Sequence, residues 1–99
     1  MKVPKRIKVG PYDYAVVRKE IVVGPDRSEL WGHYDPTAQV VTLANNMTPQ
    51  REATAFLHEV FHAIDELVGS KLSEQQIEVF APALYEFLRV NKMLKEDGK

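Results

Sequence analysis

The sequence contains no cysteine, and this absence excludes disulfide bonds, thiol catalysis and thiolate metal ligands. It also lacks an apolar run long enough to span a bilayer, and its first residues lack the apolar core of a signal peptide. Neither sign of charge is in excess, because 13 Lys and Arg stand against 14 Asp and Glu. We therefore expect a cytoplasmic protein that binds neither nucleic acid nor membranes.

The length of 99 residues, with 44% hydrophobic and 27% charged residues, is typical of one soluble globular domain. We therefore assign residues 1–99 to a single domain. A chain this short buries only a modest core, so a bound metal ion would add useful stability. Composition does not predict the oligomeric state.

The first part of the chain, residues 1–46, is predicted to be mainly β-structure. The runs RIKVG and YAVVRKEIVVG are rich in β-branched residues, and each ends in glycine. Turns are predicted at 24–26 and at Asp35-Pro36, and a further strand is predicted from Gln39 to Leu43. These segments are expected to form a small antiparallel sheet.

Two helices are predicted in the second part, at 48–69 and 73–94. Thr48-Pro49 is a good helix start and Gly69 a natural stop, with apolar residues recurring at helical spacing between them. SEQQ at 73–76 matches a capping box, and the apolar residues of the second helix include Phe80 and Leu84. The predicted fold class is α+β, with the sheet packed against both helices.

The first helix carries the sequence LHEVFHAIDE, in which His58 and His62 lie one helical turn apart and point the same way. Two neutral imidazoles at this spacing can bind one zinc ion at about 2.0–2.1 Å each. Glu59 lies on the flank of the pair, where it can take a proton from a metal-activated water, as in HExxH metalloproteases. A motif this short needs a supporting structural context, and the predicted amphipathic helix supplies it. We therefore predict a zinc site here.

A catalytic zinc ion usually has three protein ligands, so a further ligand is needed beyond the two histidines. On a helical wheel, Glu74 lies nearest the core face of the second helix, Glu78 lies further round, and Glu86 is almost opposite. We favour Glu74 over Glu78, and both over His33. Asp65, three residues after His62, is either a partner of an imidazole or a solvated acid, whereas Glu66 is expected to be solvated.

The motif and its surroundings resemble the gluzincin class of zinc metallopeptidases. The stretch from Gly32 to Leu88 is similar to the small ImmA/IrrE-type and phage-encoded minimal zincins, through QVVTL, TAFLHEVFHAID and LSEQQIEVFAPALYEFLRVN. The resemblance implies that His58, His62 and Glu74 bind zinc and that Glu59 is the general base. It also implies a peptide or protein substrate.

A peptide substrate would add a strand to an uncovered sheet edge, and QVVTL is the predicted edge. His33, Tyr34 and Tyr85 are candidates for stabilising the oxyanion. The alternative function is a non-catalytic zincin-like binding or regulatory module in which the metal is structural. A purely structural metal would reveal itself through unfolding on chelation.

Overall fold

The computed structural model describes residues 1–20, 22–23 and 29–94, and this part of the chain forms six short strands followed by two helices. In chain order they are β1 (Arg6–Val9), β2 (Tyr12–Lys19), β3 (Val22–Val23), β4 (Glu29–Leu30), β5 (Gly32–Asp35), β6 (Val40–Ala44), α1 (Pro49–Val68) and α2 (Glu74–Val90). The predicted α+β fold class is confirmed. The turn predicted at 24–26 lies outside the described residues, and so do residues 95–99.

Four strands form one sheet in the order β1-β2-β6-β5, and β3 pairs with β4 in a separate two-stranded sheet. β1 and β2 are antiparallel, and so are β5 and β6. The prediction of an antiparallel sheet is wrong for β2 and β6, which run parallel from the pair Ala15–Val40 to the pair Lys19–Ala44. Their parallel direction follows from the crossover through β3, β4 and β5, since a tight hairpin can join only antiparallel neighbours.

The strand β6, which contains most of QVVTL, lies in the interior of the sheet between β2 and β5. The prediction that this segment is an uncovered edge is therefore wrong. Its side chains explain its place, because Val41 and Leu43 are completely buried, as expected of a strand that has neighbours on both sides. The outer strand next to it is β5, which carries His33 and Tyr34.

Helix α1 begins and ends at the residues that the sequence indicates. The Thr48 side chain accepts a hydrogen bond from the Arg51 N–H, and Gly69 ends the helix in the left-handed conformation at φ 68°. The helix packs on the sheet through Ala55 and Phe56, which join a buried cluster with Val3, Val16, Val41 and Leu43. This packing fixes the direction in which the histidine-bearing side of α1 points.

Helix α2 starts at a complete capping box between Ser73 and Gln76 and packs chiefly against α1. It ends at Val90, earlier than the predicted 94, because Asn91 caps it and Lys92 has a positive φ of 55°. Neither helix of the described part of the chain is long and apolar enough to cross a membrane.

Much of the apolar surface of the two helices remains exposed. Only Ile77 and Ala81 are buried on α2, whereas Phe80 and Leu84, predicted to face the core, are exposed. On α1 the same holds for three large apolar residues of the last two turns, which are Ile64, Leu67 and Val68. The wheel places these side chains correctly on an apolar arc, but their neighbours in the described part of the chain cover only part of that arc.

Gly69→Ala should lower the free energy of unfolding by about 1 to 2 kcal/mol, because an added Cβ disfavours the left-handed conformation. The cost should come from the backbone alone, since a Cβ at this position meets nothing within 4 Å. Gly69→Asn should cost less, because asparagine tolerates this conformation. Urea denaturation measures both, and an alanine variant as stable as the asparagine variant would contradict the prediction.

Candidate metal centre

The two histidines of the motif converge on one side of α1. Their ring centroids lie 5.1 Å apart. One potential ligand atom from each of His58, Glu59 and His62 lies within 4.8 Å of the other two. This cluster could hold a metal ion, as the spacing of the motif predicts.

Glu74, the first residue of α2, reaches across to both imidazoles. Its Oε1 lies 2.6 Å from Nε2 of His58, and its Oε2 lies 2.8 Å from Nε2 of His62. The carboxylate therefore lies against the same two nitrogen atoms that a metal ion would use. His33, Glu78 and Glu86, the other sequence candidates, line the surrounding cleft.

Glu59 lies on the inner side of this cluster and is only 7% exposed. Its carboxylate packs against the start of β5, where Gly32 has no side chain. A Cβ built on Gly32 would lie 3.2 Å from Oε2 of Glu59 and 3.2 Å from Cδ2 of Leu43. Gly32 thus makes room for Glu59, a role that the sequence analysis missed. Glycine in a strand is a general sign of such close approach.

Burial raises the pKa of Glu59 to about 8, and the negative charge of Glu74 contributes to the increase. Without a metal ion, this carboxyl group therefore titrates near neutral pH. A divalent cation beside it would favour the charged form and oppose the shift. A group poised in this range is suited to accept and return a proton.

Tyr34 on β5 forms one wall of the centre. Its ring stacks on the His62 ring, with centroids 6.3 Å apart and planes 5° apart. Its hydroxyl donates a hydrogen bond to Glu66 and lies 3.0 Å from the Tyr14 hydroxyl. Glu66 is exposed, as predicted, but it also accepts this hydrogen bond. The sequence analysis missed Tyr14, because its contact with Tyr34 joins two strands that lie 20 residues apart in the chain.

These contacts bear on the choice of oxyanion stabiliser. Burial, followed by the hydrogen bonds to Glu66 and Tyr14, raises the pKa of Tyr34 well above its ordinary value. Its proton is already directed to Glu66, whereas His33 and Tyr85 also line the cleft. The geometry therefore makes Tyr34 a support for His62, and the oxyanion role stays a prediction for the other two candidates.

Asp65 binds the loop between the helices instead of an imidazole. Its Oδ1 accepts hydrogen bonds from the Leu72 N–H at 2.8 Å and from the Ser70 hydroxyl. These two bonds, the Leu72 one first, lower the pKa of Asp65. Neither reading from the sequence anticipated this role, which depends on the path of the loop.

The centre opens into a cleft between β5, α1 and α2, with a volume of about 990 Å³. At its rim the Arg51 guanidinium lies 4.8 Å from the centre of the Trp31 ring, a cation–π contact. The opposite wall is formed by α2, including Glu78 and Tyr85. A concave site of this size beside a cluster of metal-ligating groups can receive a segment of another molecule.

Comparison with known proteins identifies no family. No protein-family model matches this sequence, and no curated protein matches it. The resemblance to minimal zincins thus rests on the motif, and the chemistry of the centre has to be argued from its own side chains.

Glu59→Gln should stabilise the metal-free protein increasingly as the pH rises from 4.5 to about 8. The folded-state pKa of about 8 exceeds the ordinary 4.5, so the folded protein binds more protons than the unfolded chain in this range. Stability is therefore lost as the pH rises through the window, and glutamine cannot ionise. Urea denaturation in EDTA at several pH values measures the difference.

The matched control is Glu78→Gln, because this glutamate is an exposed residue of the same cleft. It should not reproduce the pH-dependent gain. A stability difference between Glu59→Gln and the parent that is the same at pH 5 and pH 8 would contradict the burial argument.

Proposed function

We propose that this chain is a minimal zinc-dependent metallopeptidase, with zinc held by His58, His62 and Glu74. The observation that carries the proposal is the reach of Glu74 from a second helix to within 2.6 and 2.8 Å of the two imidazole nitrogens. An ordinary salt bridge on a helix surface would involve only one histidine and one acidic residue. Two imidazoles and a carboxylate meeting at one point, with a buried glutamate alongside, match the ligand set of a catalytic zinc site.

The donor types support zinc as the metal. Imidazole nitrogen suits Zn²⁺ better than Mg²⁺ or Ca²⁺, which prefer sites made entirely of oxygen. The chain has no cysteine, so a site of histidine and carboxylate ligands is the one it can build. When bound, zinc would supply Lewis acidity that polarises a peptide carbonyl and lowers the pKa of water.

Glu59 would provide the general base. Its carboxylate is held beside the two histidines by the sheet and is shielded from bulk water. It would take a proton from the attacking water and return it to the leaving amine. A bound cation would favour the charged form that accepts the proton, whereas burial and the charge of Glu74 favour the protonated form, so the group could hold the proton briefly and release it.

The substrate would be a peptide or a protein segment lying along β5. This strand is the outer strand of the sheet on the side of the cleft. The cleft is lined here by Trp31, Gly32 and His33. Addition of an extended segment to an outer strand uses backbone hydrogen bonds and leaves alternate side chains to enter the cleft. This assignment replaces β6, which lies inside the sheet.

The first test combines metal content with peptide hydrolysis. The parent protein should bind one zinc ion, His58→Ala should lose most of that zinc, and Glu59→Gln should keep it but lose hydrolysis. His33→Ala is the matched control for zinc content, because His33 lines the cleft without being a proposed ligand. Metal analysis and cleavage of a peptide library give the readouts.

Two results would overturn the assignments. Hydrolysis by Glu59→Gln at the parent rate would show that Glu59 is not the general base. An unchanged zinc content in His58→Ala would show that zinc does not bind at the proposed site, whether or not the variant hydrolyses peptides.

The second candidate function is a non-catalytic binding or regulatory module with a structural metal. It is favoured by the small buried face of α2, whose fully buried residues within the described chain are Ile77 and Ala81. A metal ion bridging His58, His62 and Glu74 would then be the main link between the helices.

Chelation separates the two functions. For a metallopeptidase, EDTA should abolish hydrolysis and lower the melting temperature by the binding linkage while the chain stays folded at 25 °C. Far-UV circular dichroism and size-exclusion chromatography follow the fold. Loss of helical signal on chelation, together with no turnover in the zinc-loaded state, would favour the structural metal.

A further inference from the structure

The loop between α1 and α2 brings Glu74 back to the histidines within twelve residues of His62. Gly69 and Lys71 both have positive φ, at 68° and 60°, so the chain reverses sharply. After the reversal Ser73 caps α2, and Glu74 is its first helical residue. The position of the Glu74 carboxylate therefore depends directly on the conformation of this loop.

Asp65 is the side chain of α1 that fastens this loop. It lies three residues after His62, so it belongs to the next turn of the same helix. Its Oδ1 accepts hydrogen bonds from Leu72 and Ser70, and its backbone carbonyl accepts the N–H of Gly69 at 2.8 Å. One residue thus binds the loop at its beginning and at its end, two positions before Glu74.

Few fully buried side chains define the register of α2 on α1. The helix buries Ile77 and Ala81, one of them small, while Phe80 and Leu84 remain exposed. A shift of α2 by about 1 Å would carry Glu74 away from distances of 2.6 and 2.8 Å to the two imidazoles. The hydrogen bonds of Asp65 oppose such a shift at the N-terminal end of α2, which carries Glu74.

We propose that Asp65 is a positioning residue of the metal centre, which holds the α1–α2 loop so that Glu74 meets the metal together with His58 and His62. The inference rests on the proposed metal site but not on peptide hydrolysis. Asp65 acts through Glu74 and does not touch the ion. Removing such an outer partner typically weakens metal binding by about 10- to 100-fold.

The test is a double-mutant cycle on zinc affinity, measured with a competing chelator. Asp65→Ala should weaken zinc binding about 10- to 100-fold in the parent background and should have no measurable effect in the Glu74→Ala background. Asp65→Asn keeps an oxygen that accepts both hydrogen bonds, so it should retain most of the affinity. A purely electrostatic effect of Asp65 on the ion would instead make Asn as damaging as Ala.

Cobalt substitution provides a second readout that general destabilisation would not imitate. The visible absorption of the Co²⁺ form reports the ligands of the ion, so the Asp65→Ala spectrum should shift toward that of Glu74→Ala. The matched control is Glu52→Ala on the same helix, since Glu52 pairs with Arg18 on the sheet, away from the loop. That variant should leave the zinc affinity and the Co²⁺ spectrum unchanged.

The outcomes separate this inference from the proposed function. A parent protein that binds no zinc overturns both. Two results overturn only the positioning role in a parent protein that binds zinc. One is an unchanged zinc affinity in Asp65→Ala, and the other is an equal loss of zinc affinity in the parent and Glu74→Ala backgrounds. If circular dichroism shows that Asp65→Ala does not fold, Ser70→Ala, which removes one of the two donors, takes its place in the cycle, with the same results deciding.

Discussion

The contact between Glu74 and the two histidines is the interaction on which the rest of this structure depends. It joins the start of the second helix to the first, beside a small buried face of α2 that consists of Ile77 and Ala81 among the described residues. Without a cation, the carboxylate lies directly against both imidazole nitrogens. With one, the same three groups could share it, so a single set of side chains would both connect the helices and form the centre.

The cost of this arrangement appears at Glu59. The sheet holds its carboxylate in a nearly water-free position beside a second acid, and both effects raise its pKa. A purely structural helix would place an apolar residue there, because a buried carboxyl group lowers stability whenever it is charged. The carboxylate lies so close to Gly32 that a Cβ there would be 3.2 Å from Oε2, so the sheet defines its position.

Support for the centre comes from three directions. Tyr34 on the outer strand stacks on His62, and its hydroxyl joins Tyr14 and Glu66. Asp65 holds the loop before α2. The sheet positions Glu59. These supports come from the sheet and from α1, which is how a chain of 99 residues can fix several side chains relative to one another.

The sequence by itself determined the elements whose signals are local. Thr48, Gly69 and Ser73 mark helix ends through bonds made within a few residues, and the four-residue spacing of His58 and His62 puts both imidazoles on one side of any helix. The wheel likewise favoured Glu74, because the angle of a residue on its own helix is a local property.

Only the tertiary structure decided which strand is the outer one, that β2 and β6 run parallel, and which apolar residues stay exposed. These features depend on how many other elements pack beside each strand or helix. The hydrophobic pattern of a single element does not contain that information. The roles of Gly32, Tyr14, Glu66 and Asp65 were hidden for the same physical reason. Each acts through a contact that forms only when distant segments, or the two ends of a loop, are brought together by the fold.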